Sequence, residues 1–468
     1  MLLIEMMAEH IDELCNWSEV SRVSVVYPAN DSRKHPRHDH EKIAFCLQSE
    51  LAERAEYPSH SWLLTNVKID WFGYMFNQIR MDSGISGIDN AENYFLGQSH
   101  LKDIYSELEV GAKHFSFWRK FLEDVDLILT YRPVHMPFSM AIRDVAAELN
   151  LPLMSFSHTS IPYRSHLVKN EEGYSYLRDR WEQLVEAKAE NNFSLEVLKE
   201  VERISAKDET VFQPGYMSRI PPHAVPYRYF TRKNLIKTFD RNKWIKLVAN
   251  LFQAFLERSV NQSIEEDLRK LTAEEGENNS AYLVVFLHYQ PEETSSPRGG
   301  VFANQLNIVR WLRLKFPEKR VLIKEHPHTS YRGYRPHFFY KELAELRDVF
   351  FTKATTTELL DKADAVATIC GTVGLEAAYR GVPVLLFGWH SLAAHPFALR
   401  ILPETEAKEV QLHFEKCIQS KSRAPLITLE YLQLIFTETI EWGRPNKTVP
   451  SSNFREHVRR ALKREGVI

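Results

Sequence analysis

The sequence predicts an α/β protein made of two doubly wound domains, each organised on a parallel sheet. Three observations carry this. Short β-branched runs recur and are separated by helix-length segments. The runs are apolar at consecutive rather than alternate positions, the pattern of strands covered on both faces. They also fall into two groups with a differently textured stretch between them, so the 468 residues divide into two sheets.

In chain order, Val23–Tyr27, Asp126–Tyr131 and Leu153–Phe156 read as the strands of the first group. Residues 206–228 carry Pro214, Pro221, Pro222 and Pro226 and read as irregular. A helical pattern follows through Trp244, Val248, Leu251, Phe255 and Val260, closed by the polar run Ala273–Ser280. The second group is Tyr282–Leu287, Arg320–Lys324, Val349–Thr352, Ala365–Ile369 and Val384–Phe387. Asn453–Ile468 has the pattern of a basic amphipathic helix that packs back on the body. The expected boundaries are 1–235 for the first domain, 236–445 for the second and 446–468 for the terminal helix.

Composition narrows the function. Hydrophobic residues at 44% and charged residues at 26% are those of a soluble globular chain. Lys+Arg 59 against Asp+Glu 62, a net charge of −3, argues against nucleic acid as a partner. The four cysteines, Cys15, Cys46, Cys370 and Cys417, are too dispersed for a disulfide scaffold or a paired-cysteine zinc site and suit a reducing compartment. No apolar run approaches the ~18–20 residues that span a bilayer. Met1–Leu14 carries four acidic residues and no basic start, unlike a signal peptide. The expectation is a cytoplasmic protein without a metal or cofactor.

The densest chemical signal is Thr368–Gly388. A strand ends near Ile369, Gly371, Thr372 and Gly374 form a tight turn, and a helix opens with Glu376. Small residues admit a close ligand, and backbone N–H groups at a helix start attract an anion. Thr372 offers a hydroxyl to a phosphate oxygen, and Glu376 can accept from a ribose hydroxyl. The competing reading is a βαβ corner whose glycines only pack. The glycine spacing fits neither the dinucleotide nor the P-loop fingerprint.

The second signal is Lys324–Pro327. In an open parallel sheet ligands sit at the carboxyl ends of strands, which is where His326 falls, with Pro327 restricting its backbone. The third is the polar loop 288–305, which offers Arg298 as a phosphate partner and the N–H groups of Gly299 and Gly300. In the first domain, residues 28–42 concentrate charged and histidine side chains, with Asp39 as a candidate base, and His158 follows the strand Leu153–Phe156. The stretch 228–246 interleaves basic and aromatic residues, as interfacial segments on anionic membranes do; a solvated helix face has the same look.

The blocks His288–Glu292, Ser296–Gly300 with Gln305, Lys324–Pro327 and Gly371–Trp389 together resemble the bacterial capsule polysaccharide biosynthesis family of glycosyltransferases, relatives of the Kdo transferases. The resemblance runs from about Tyr282 to Trp389. It implies a GT-B architecture: two Rossmann-like domains facing across a cleft, with a nucleotide-sugar donor held mainly by the second. It further implies that His326, Pro327, Thr372 and Glu376 contact the nucleotide of a CMP-sugar. Gly371 stands where relatives often carry serine. The resulting expectation is a metal-independent glycosyltransferase using Arg298, Gly299, Gly300, His326, Thr372 and Glu376 for the donor. His158 or Asp39 would activate a glycan or glycolipid acceptor, with 228–246 resting on the inner face of the plasma membrane. The competing functions are a nucleotide-sugar epimerase or hydrolase and a non-catalytic subunit of a polysaccharide assembly complex.

Overall fold

A computed structural model describes residues 2–4, 14, 17, 23–27, 43–47, 115–130, 137–169, 174–186, 193–206, 281–288, 294–295, 298–326, 337–441 and 451–468. They form two compact units. One holds the described residues up to Glu186 together with those from Tyr431 onward; the other holds those from 193 to Glu430.

The first unit carries the strands β1 (Leu2–Ile4), β2 (Val23–Tyr27), β3 (Ile43–Leu47), β4 (Ile128–Thr130), β5 (Leu153–His158), β6 (Arg164–Lys169) and, late in the chain, β13 (Ile440–Glu441). Their spatial order is β13-β6-β5-β4-β1-β2-β3. The pairs from β3 to β5 are parallel, and read outward in chain order they give 3-2-1-4-5, the Rossmann winding. The rest of this sheet departs from the parallel expectation: β6 runs antiparallel to β5, and β13 antiparallel to β6. The physical reason is a tight reversal at 159–163. Thr159 Oγ1 accepts the Ile161 N–H, Thr159 N donates to Arg164 O, and Tyr163 takes φ 57°. A chain reversed in five residues can only pair back on the strand it left.

The terminal helix, Ser451–Arg464, packs against this sheet as its amphipathic pattern predicts. Phe454, Val458, Ala461 and Leu462 join Leu129, Met154, Phe156 and Leu167 in one cluster, with the Phe454 and Phe156 rings stacked at 6.0 Å. Burying each such side chain stabilises by about 1.5–3 kcal/mol. Two polar contacts fix the register: Leu167 N donates to His457 Nε2 at 3.1 Å, and Arg464 Nη2 donates to Leu167 O at 2.6 Å.

The second unit is built on β7 (Tyr282–Phe286), β8 (Arg320–Lys324), β9 (Val349–Phe351), β10 (Ala363–Thr368), β11 (Val384–Leu386) and β12 (Ala398–Arg400). The order is β12-β11-β10-β7-β8-β9 and every pair is parallel, so this sheet too has the Rossmann winding. Its strands are buried along most of their length, as their continuous apolar runs require. Leu283, Val285, Ile323, Ala367 and Leu385 pack with Leu306, Val309, Trp311 and Leu312 from the helix Leu306–Lys315. The winding reverses between β7 and β10. That is the topological switch point, where the carboxyl edge opens a crevice.

Candidate functional site

Four of the six described strands of the second sheet hand the chain to the carboxyl edge at a residue with chemistry to offer. His288 follows β7, Glu325 and His326 follow β8, Cys370 to Thr372 follow β10, and Trp389 and His390 follow β11. Arg298, Gly299, Gly300, His326, Thr372 and Glu376 all belong to this second unit. Glu376 stands in the first turn of the helix Val373–Tyr379, which opens three residues earlier than its sequence indicated because Val373 and Gly374 are small enough to be buried against the sheet. A Cβ on Gly374 would lie 2.7 Å from Leu392 Cδ2 and 3.2 Å from Val384 Cγ1, so glycine here lets the helix pack closely on β11 and the turn that follows it.

The turn after β10 is held from β7. His288 N donates to Gln305 Oε1 at 2.7 Å, and Gln305 Nε2 donates back to His288 O at 3.0 Å, so the buried amide clamps the backbone of the histidine. The ring reaches across the switch point. Its Nε2 lies 3.0 Å from Thr368 Oγ1 and accepts the Cys370 N–H at 3.2 Å, while Gly371 N donates to Thr368 Oγ1 at 3.2 Å. An Nε2 that accepts a backbone N–H carries a lone pair, which assigns the ring proton to Nδ1. A Cβ at Gly371 would sit 2.8 Å from Thr368 Oγ1. Glycine at 371 therefore has a local cause: the Thr368 hydroxyl occupies the space where a Cβ would stand.

This network changes which donors face a ligand. The N–H groups of Cys370 and Gly371 are spent inward, and those of Gly374 and Leu375 go to Gly371 O and Thr372 O. Among the described residues, the Thr372 N–H, the Val373 N–H and the exposed Thr372 hydroxyl have no partner. Glu376 is buried.

The loop before the helix Leu306–Lys315 folds back tightly. Arg298 is buried and its carbonyl accepts the Trp389 N–H at 3.0 Å, which ties the loop to the end of β11. Gly299 gives its N–H to Ser295 O at 3.1 Å, and a Cβ there would meet that oxygen at 2.7 Å, so this glycine serves the loop's own packing. Gly300 differs: it is exposed, adopts φ 51°, and has open space where a Cβ would stand. At the tip of β8, His326 N donates to Glu325 Oε1 at 3.0 Å and Tyr340 OH donates to Glu325 Oε2 at 3.3 Å. Glu325 thus fixes the backbone that presents the half-buried His326. His390, after β11, is buried and accepts the Leu392 N–H at Nδ1. Burial, with Arg298 and His288 nearby, pushes its pKa down to about 3 and keeps it neutral.

His158 belongs to the first unit. It is the last residue of β5, not a loop residue beyond the strand, and its Nδ1 is 2.8 Å from the hydroxyl of Ser165, its register partner on β6. Asp39, Pro327 and the stretch 228–246 lie outside the described residues. His288, Gln305, Thr368 and His390 received no role from the sequence. The available signal was position: His288 follows β7 and Thr368 ends the neighbouring β10, while Gln305 closes the 288–305 block.

Residues 234–394 match the family model described as capsule polysaccharide biosynthesis protein. The resemblance carried by the motifs is thereby confirmed over about a third of the chain. No curated protein matches it. Among solved structures it is similar to the β-Kdo 2,7-transferase of Thermosulfurimonas dismutans KpsC, at 12% identity over 74% of this chain and 89% of that one, with a TM-score of 0.33. It is also similar to the Methanocaldococcus jannaschii UDP-GlcNAc 2-epimerase in complex with UDP-GlcNAc and UDP, at 12% identity over 77% and 82%, with a TM-score of 0.25. Among the described residues, no helix is long and apolar enough to cross a membrane.

Proposed function

We propose that the chain is a GT-B-type glycosyltransferase of capsule or surface polysaccharide biosynthesis. It would move a sugar from a nucleotide-sugar donor, a CMP-linked sugar first among the candidates, to a glycan or glycolipid acceptor. The observation that supports this most is the carboxyl edge of a Rossmann-wound sheet, presenting unspent donors at its switch point within a segment that matches the capsule biosynthesis family.

In this reading Arg298, the Gly300 N–H and the Thr372 hydroxyl and N–H receive the donor phosphate. Gly299 holds the loop that carries two of them. His326 bonds a phosphate or ribose oxygen, and Glu376 accepts from a ribose hydroxyl. Transfer breaks the bond between the anomeric carbon and the phosphate oxygen and forms one to the acceptor oxygen, whose proton goes to a base. Negative charge grows on the departing nucleotide, and fixed donors stabilise it without reorganising. Arg298 and the backbone N–H groups would supply that stabilisation in place of a metal. His158 or Asp39 is the proposed base. A cytoplasmic location, with 228–246 against an anionic membrane that carries the acceptor, completes the proposal.

The test is a thermal-shift series with CMP, UDP and GDP, followed by product analysis with the matching nucleotide sugars. Ligand at 100 times its dissociation constant stabilises by about 2.7 kcal/mol, well above detection. Acceptor-dependent release of nucleotide supports transfer. Epimerised or hydrolysed donor without acceptor points to a nucleotide-sugar epimerase or hydrolase, and no shift with any nucleotide to a binding subunit.

A further inference from the structure

The geometry points to His288 as a positioning residue for the donor site: its imidazole, clamped by Gln305, fixes the turn 370–372 so that Thr372 faces outward with its donors unspent. The inference rests on the proposed donor reading, and it adds a residue from a different strand that touches no ligand itself.

Three features of the arrangement carry it. The first is that the ring does not merely fill space. It accepts the Cys370 N–H and sits at hydrogen-bond distance from the Thr368 hydroxyl, which in turn accepts the Gly371 N–H. Two consecutive amides of the turn are thereby committed through one side chain. Secondly, the ring's own backbone is held from both sides by the buried Gln305. A histidine used only as filler needs no such clamp on its N–H and C=O. Thirdly, the sequence makes room for the relay. A Cβ at 371 would be 2.8 Å from Thr368 Oγ1, so any residue but glycine would crowd the hydroxyl that links the His288 ring to the Gly371 amide. If the two amides were released, the turn could rotate them outward, and Thr372 would lose its fixed direction. A site whose donors are fixed in advance loses little on binding, and one whose donors must be ordered first loses affinity.

The test uses the full chain and reads two quantities: amide hydrogen exchange resolved at Cys370 and Gly371, and dissociation constants for CMP, UDP and GDP. His288→Phe keeps ring volume and removes the acceptor. Exchange at both amides is expected to rise about tenfold or more, with β8 and β9 unchanged, the scale of one lost hydrogen bond. Thr368→Val, of nearly equal size, is expected to free Gly371 alone. His288→Gln places an amide oxygen near the former Nε2 and is expected to restore protection at Cys370 and most of the nucleotide affinity lost in His288→Phe. Unchanged exchange in Thr368→Val and His288→Phe overturns the relay, as does equal affinity of wild type and His288→Phe for a nucleotide that binds. Should His288→Phe fail to fold, Thr368→Val decides alone. Failure of all three nucleotides to bind wild type overturns the donor reading, and the positioning role with it. That result is recognised because exchange at Cys370 and Gly371 still responds to the variants.

Discussion

The chain winds the same sheet twice and uses its carboxyl edge differently each time. In the second unit all six described strands run parallel, so the residues after β7, β8, β10 and β11 emerge together. In the first unit the chain leaving β5 reverses at once into β6, and His158, at the edge, is drawn into a hydrogen bond with Ser165 of the returning strand. The two sheets share the 3-2-1-4-5 winding and differ in what leaves their strand ends. A Rossmann winding supplies a crevice; the residues that follow each strand decide whether chemistry occupies it. The polar contacts in the first unit are spent on attaching the terminal helix, through His457 and Arg464 on Leu167. In the second they brace a turn.

The largest expected effect separates the two edges directly. His326→Ala and Glu376→Ala should each lower kcat/KM for the donor by about 10- to 100-fold while the melting temperature stays near that of wild type, the scale of one lost hydrogen bond that involves a charged group. Near-normal transfer by both variants would take the second edge out of the reaction. On the first unit the sharpest break is Phe454→Ala. It removes a fully buried ring stacked on Phe156 and should destabilise by about 3–5 kcal/mol, measured by denaturant unfolding. A loss under about 1 kcal/mol would mean that the terminal helix contributes little to this core.

Acid should distinguish the units next. His390 and His395 in the second and His457 in the first are buried, and burial pushes each pKa down to about 3. Unfolded histidine titrates near 6.5, so between those values the unfolded chain binds protons that the folded one refuses. The stability from these groups is complete above pH 6.5 and is lost as pH falls from 6.5 towards 3. Each histidine adds the same limiting slope, so per pH unit the second unit, with two, should lose about twice as much stability as the first, with one. Denaturant midpoints followed by probes in each unit between pH 7 and 5 measure this. Replacing His395 by Gln should flatten the dependence of the second unit alone.

Much of this was legible in the sequence, for identifiable reasons. Tyr282–Phe286 and Arg320–Lys324 are continuous apolar runs because helices cover both faces, and such runs announce themselves. β6 was not legible: Arg164, Ser165 and His166 look like loop residues, yet Ser165 and His166 are fully buried, Ser165 in the hairpin with β5 and His166 also against the Tyr174 ring and the Tyr176 hydroxyl. At the site, His326 and Thr372 could be found because each lies in the turn that leaves its own strand, β8 or β10. The role of His288 could not, since it depends on Thr368 and Cys370, 80 and 82 residues further on, and only the strand order β10-β7-β8 brings them together. Local reading locates strand tips; it does not say which tips are neighbours.

The smallest expected effect concerns the two adjacent glycines that the sequence treated as equals. A Cβ on Gly299 would meet Ser295 O at 2.7 Å and Ala303 N at 2.9 Å, both backbone atoms that cannot step aside without unfolding the loop. Gly299→Ala should therefore destabilise by about 1–3 kcal/mol and disturb whatever Arg298 holds. Gly300→Ala meets nothing, and only its φ of 51° opposes the change, at about 1 kcal/mol. Its Cβ, however, would enter the open space where the donor phosphate is proposed to lie. The informative measurement is the pair: nucleotide affinity lowered in Gly300→Ala at nearly constant melting temperature, against a lowered melting temperature in Gly299→Ala. Unaltered affinity in Gly300→Ala would move the phosphate away from this loop and leave Thr372 as its anchor.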